Sequence, residues 1–178
     1  MTRNTVKTWL AVLEATFLLM RIPAWSPNVR RRAVRAPKLH LTDTGLACHL
    51  LGIRSAQQLR SHPLRGALFE PWVATEIRKA GANRGVNLGL AHYRESRGAE
   101  VDIVVTNGEG STLVEVKSGA TVADDWLDGL RALLARGWDA ETTLNAVVVY
   151  GGEQARRRHE IRVQPWRELH ELPWTPVK

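Results

Sequence analysis

Apolar residues recur at helical spacing near the N-terminus. Val6, Trp9, Leu10, Leu13 and Phe17 share one face, which predicts a helix over residues 4–16. Thr2 or Asn4 is placed to cap it. Residues 17–22 pass into a strand, and Pro23 and Pro27 then break regular structure. A short returning strand is expected over residues 39–42. Helix, strand, loop, strand is the outline of the end of a winged helix, with the loop as the wing. Short helices follow at residues 46–51, with Asp43 or Thr44 as cap, and at residues 55–60. Pro63 turns the chain, and the domain boundary is expected there. Residues 1–62 form a winged-helix-like or connecting segment, and residues 63–178 form the main domain.

The second half carries stronger patterns. Phe69, Trp72, Val73, Ile77 and Ala80 make a stripe along a helix over residues 66–80. Glycines and asparagines over residues 81–87 predict a turn. Strands are expected at residues 88–94, 99–106 and 112–117, the last two joined at Asn107-Gly108. Asp124 and Asp125 open a helix whose apolar face carries Trp126, Leu130, Leu133 and Leu134. Val147, Val148 and Val149 sit in a buried strand over residues 144–150. The order is helix, three-strand meander, helix, strand, which is an α/β class of fold.

Candidate chemistry lies on this second half. Side chains alternate across a strand, so Glu115 and Lys117 point one way and Val116 points into the opposite layer. Glu100 and Asp102 share one face, and Val101 and Ile103 the other. In the natural hairpin register Asp102 lies beside Glu115. Two adjacent carboxylates repel unless a cation sits between them, and hard oxygen ligands suit Mg²⁺ or Mn²⁺. Such a metal orients water and stabilises charge on a phosphoryl group. Lys117 is then a fixed positive charge beside the attacking water or the phosphate. Glu70, at the border of the helical stripe, is the candidate third metal ligand. Glu76 is the alternative: it falls inside the stripe, where it needs a partner such as Arg94 or Arg97.

Composition narrows the partners. The formal net charge is +7 over 178 residues, which favours a polyanion, nucleic acid above all; generous use of arginine accounts for it equally well. Arg30, Arg31, Arg32, Arg35 and Lys38 cluster in the wing-like loop and are the candidate phosphate contacts. An exposed solvated loop, or a docking surface for a protein, is the competing account. Arg156, Arg157 and Arg158 read as a solvated cluster. Trp9, Trp72 and Trp126 fall on apolar helical faces and are assigned to packing; Trp25, beside the basic loop, is the candidate for base stacking. Cys48 is the only cysteine, so no disulfide forms within one chain, which fits a reducing cytoplasm. The six histidines lack zinc spacing. No apolar run reaches the roughly 20 residues that span a bilayer, and no membrane association is expected.

The segments Gly66-Ala67-Leu68-Phe69-Glu70, Tyr93-Arg94, Glu100-Val101-Asp102 and Glu115-Val116-Lys117-Ser118 resemble the PD-(D/E)XK nuclease superfamily. More narrowly, they resemble the uncharacterised C-terminal domain of prokaryotic AAA-type ATPases. Lys38-Leu39-His40-Leu41-Thr42-Asp43-Thr44-Gly45-Leu46 and Thr5-Val6-Lys7-Thr8-Trp9-Leu10 are similar to that family's lead-in. The resemblance implies a restriction-endonuclease-like α-β-β-β-α-β core, with a mixed sheet flanked by helices. It also implies an ATPase domain ahead of this region. The sequence has no Walker-type phosphate cradle, so no ATP is expected on this chain. Val101 stands where the superfamily's motif has proline. The expected function is nucleic-acid binding, DNA foremost, with Mg²⁺- or Mn²⁺-dependent phosphodiester hydrolysis at Glu70, Asp102, Glu115 and Lys117. The alternative is a non-catalytic DNA-binding or protein-docking module that partners an ATPase domain.

Overall fold

The computed structural model describes residues 2–25, 36–95, 98–107, 110–136, 143–172 and 174. Helix α1 (Arg3–Ala15) is capped by the Thr2 hydroxyl, which accepts from the Thr5 amide. Strands β1 (Leu19–Ile22) and β2 (Lys38–Leu41) pair antiparallel as a two-stranded ribbon. Helices α2 (Thr44–Leu50) and α3 (Ala56–Ser61) begin at Asp43 and Ser55, whose side chains accept from Leu46 and Gln58 amides. Helix α4 (Arg65–Asn83) is the longest and carries Pro71 within it.

A six-stranded mixed sheet follows. Its strands are β3 (Gly89–Arg94), β4 (Glu100–Thr106), β5 (Gly110–Lys117), β6 (Thr143–Tyr150), β7 (Arg156–Arg158) and β8 (Ile161–Pro165). Across the sheet the order is β3-β4-β5-β6-β8-β7. The first three strands are an antiparallel meander, β5, β6 and β8 run parallel, and β7 returns antiparallel on the edge. A 3-10 turn (Asp124–Leu127) leads into helix α5 (Asp128–Arg136), the crossover that a parallel β5–β6 pair requires.

Both faces of this sheet are apolar and covered. On one side Ile103, Val105, Val114, Val147 and Val149 pack with Val73, Ala74 and Ile77 of α4. Met20 and Ile22 of the ribbon join that cluster, so the N-terminal segment shares the main core. On the other side Val101, Val104, Leu113, Ala146 and Val148 pack with Leu127, Leu130 and Leu133 around α5. The chain is thus a mixed α/β protein with a six-stranded sheet flanked by helices. No helix among the described residues is long and apolar enough to cross a membrane.

Several expectations need correction. Helix α4 runs on through Asn83 rather than ending at residue 80, and at Gly81 a Cβ would collide with the Leu88 side chain. Arg156–Arg158 is the solvated cluster expected, with Arg156 and Arg157 exposed, but it forms an edge strand and Arg158 pairs with Asp124. Trp9 is 64% exposed and α1 buries no residue, so Trp9 does not pack in a core. Trp25 packs edge-on against Tyr93, with ring centroids 6.2 Å apart.

Candidate functional site

A β-bulge creates the site. Ala91 pairs with Val104 and Tyr93 with Val101, so Asp102 and Ile103 together oppose His92 alone. The extra residue shifts the phase of β4. Val101 packs on the α5 side while Ile103 and Val105 pack on the α4 side. The expectation that Val101 and Ile103 share a face is therefore overturned. His92 is pinned from outside, since its amide donates to the Pro23 carbonyl and its carbonyl accepts from the Trp25 amide. Beyond Ile103↔Val114 the β4–β5 ladder gives way to a side chain: the Val116 amide donates to the Asp102 carboxylate at 2.9 Å.

Strand β5 delivers the second acid. Leu113 packs on the α5 side and Val114 and Val116 on the α4 side, so Glu115 and Lys117 point away from Val116 together. The Lys117 ammonium lies 2.6 Å from the Glu115 carboxylate. Glu115 and Asp102 are each 16% exposed.

The third acid comes from α4 and meets the ribbon. Lys38 of β2 donates to Glu70 at 2.8 Å, and its ammonium also lies 3.5 Å from Asp102 and 3.9 Å from Glu100. His40, two residues along the same strand, is buried with Nε2 3.4 Å from Glu70. Asp102 is the node, with Glu70 and Lys38 on one flank and Glu115 and Lys117 on the other.

Electrostatics separates the acids. Burial pushes the Asp102 carboxyl up, and the Glu70 charge pushes it further, against Lys38 and the Val116 amide. Burial and then the charge of Asp102 push Glu115 up to about 7, despite the ammonium of Lys117. Glu70 goes the other way. Burial raises it, but hydrogen bonds from His40 and Lys38 outweigh that and hold it below the ordinary carboxylate range. Lys38 and Lys117 lose charge stability on burial, yet their carboxylate partners raise both above the usual lysine range. Asp102 and Glu115 are thus the under-neutralised pair, whereas Glu70 is satisfied.

Glu70, Asp102, Glu115 and Lys117 therefore meet at one end of β4 and β5, but not as three free metal ligands. Among the described residues no three His, Cys, Asp or Glu side chains form a group that could hold a metal. Glu76 is no rival to Glu70, since it pairs with Lys79 on the helix surface. Lys38, which the sequence groups with the phosphate-contacting loop, has its ammonium turned into the acid cluster. Arg30, Arg31, Arg32 and Arg35, and Arg97 as a partner for Glu76, lie outside the described residues. The sequence reading missed His40 and the role of Lys38. Alternation puts them on one face of Lys38-Leu39-His40-Leu41, yet only the acid on α4 reveals that the polar face is the inner one, with Leu39 45% exposed.

Two family models match the chain. Residues 65–169 match a domain of unknown function (DUF4143), and residues 1–57 match another (DUF8612). Glu70, Asp102, Glu115 and Lys117 fall in the first match, and Lys38 and His40 in the second. The chain is similar to an uncharacterized protein of Mycobacterium bovis and to one of Mycobacterium tuberculosis, each 29% identical over 103 residues. Those alignments cover 58% of this chain and 22% of each relative, so the matched region is about a fifth of the relatives' length.

Proposed function

The chain belongs to the DUF4143 family of domains of unknown function, and from that premise we propose that it is a nucleic-acid-binding domain of PD-(D/E)XK type that hydrolyses phosphodiester bonds with a divalent metal. One observation carries the reading: Asp102 and Glu115, each 16% exposed, are brought to one strand end, where burial raises both carboxyls and the charge of Asp102 raises Glu115 further. Such a pair is stabilised by a cation between them. The donor set fits Mg²⁺ or Mn²⁺ through Asp102 and Glu115. It does not fit a third ligand at Glu70, which is held by Lys38 and His40. When bound, the metal would supply Lewis-acid stabilisation of a phosphoryl oxygen and a more acidic water.

The chain's own residues do the rest. The Val116 amide fixes one Asp102 oxygen, and the other faces the Lys38 ammonium at 3.5 Å. Lys117, 34% exposed beside Glu115, is accessible to a phosphate and offers it a positive charge. The helix–meander–helix–strand order from α4 to β6 is consistent with the restriction-endonuclease-like core that the resemblance implies, and the charge of +7 favours a polyanionic substrate.

Incubation of the purified chain with linear and branched DNA and with RNA, in Mn²⁺, tests the reading. Asp102→Asn and Lys117→Ala should each lower cleavage by about a hundredfold or more. Cleavage that persists in both variants removes these residues from the mechanism. A second reading, a non-catalytic module docking on an ATPase domain, is favoured by the exposed apolar face of α1, where Val6, Trp9 and Val12 are 40%, 64% and 56% exposed.

A further inference from the structure

Lys38 is oddly placed for a residue of a basic, phosphate-binding segment. Its ammonium lies within 4 Å of Glu70, Asp102 and Glu100, and its side chain is only 23% exposed. One of those acids, Asp102, belongs to the pair assigned above to a metal. A monovalent and a divalent cation on the same carboxylate repel each other strongly in a half-buried site. The lysine also has somewhere to go. Along with Leu39, Leu41, Ala47 and Leu68 it lines a groove of about 430 Å³ between β2, α2 and α4, and a flexible four-carbon stem lies well along such apolar walls.

Resting on the metal reading above, we infer that Lys38 is the built-in counter-ion of this site, and that a divalent metal binds only by displacing its ammonium from Asp102. Glu70 and His40 are then positioning residues. Glu70 anchors the ammonium at 2.8 Å, and His40 lies 3.4 Å from the same Glu70 oxygen. The resting site is ion-paired and occupied by the protein's own cation. A residue from the segment matched at 1–57 thereby sets the metal affinity of acids in the segment matched at 65–169.

Calorimetric titration of the full chain with MnCl₂ tests this. Lys38→Met should bind Mn²⁺ about tenfold or more tightly than the unaltered chain, and Lys38→Arg, which keeps the charge, should not. Equal affinities for Lys38→Met and the unaltered chain would overturn the displacement while leaving the metal reading in place. An absence of Mn²⁺ binding in every chain would overturn both. If Lys38→Met does not fold, the Lys38 ammonium is followed by ¹⁵N NMR in the unaltered chain during a Mg²⁺ titration. Its signal should move as the metal saturates; a stationary signal while Mg²⁺ binds overturns the inference.

Discussion

Glu115 carries a signature that is measurable without any substrate. Folded, it titrates near 7, against an ordinary value of 4.5. Between those values the folded chain holds a proton that the unfolded chain has released. Stability therefore falls as pH rises through this window and levels off above it. The loss is on the order of 1–3 kcal/mol. Urea melts in a metal chelator at pH 5 and pH 8 should show a smaller loss for Glu115→Gln than for the unaltered chain. Parallel losses would place the raised carboxyl elsewhere. Glu70 has the opposite sense: its contribution is present at neutral pH and disappears as pH falls below the ordinary carboxylate range.

Elements were more legible than their surroundings. Caps at Thr2 and Asp43, the stripe on α4 and the valine run of β6 each announce an element from local chemistry. Two features did not follow from pattern. The bulge at Asp102 and Ile103 reverses the alternation of β4, and nothing local in Glu-Val-Asp-Ile requires it; His92 and its partners at Pro23 and Trp25 impose the register from outside. Helices α1 and α4 carry similar apolar stripes, yet α4 is buried and α1 buries nothing. Periodicity says which side of a helix is apolar, not whether another element covers it. Thermal melts should separate the two. Trp9→Ser should change stability by no more than about 0.5 kcal/mol, while Ile77→Ala, at a fully buried position, should cost about 2–5 kcal/mol. Similar costs would mean that α1 is covered in solution.

At the scale of the whole molecule, a basic chain holds an acidic site. The approach of Asp102 to Glu115 and Lys117 was readable because the alternation of β5 and the hairpin register are short-range rules. The roles of Lys38 and His40 were not, because they depend on a ribbon strand about 30 residues from Glu70 docking against α4. The surplus positive charge sits partly in Arg30, Arg31, Arg32 and Arg35. Reversing Arg31 and Arg32 to glutamate should weaken DNA binding uniformly across sequences and flatten its salt dependence. An unchanged salt slope in filter binding would exclude those arginines as the contact.

The most direct measurement is single-turnover cleavage of end-labelled nucleic acid by the full chain in Mn²⁺, in Mg²⁺ and in a chelator, with Asp102→Asn run alongside. Hydrolysis should require a divalent ion and vanish in the variant. Substrate that is bound yet left intact under every metal would contradict the account.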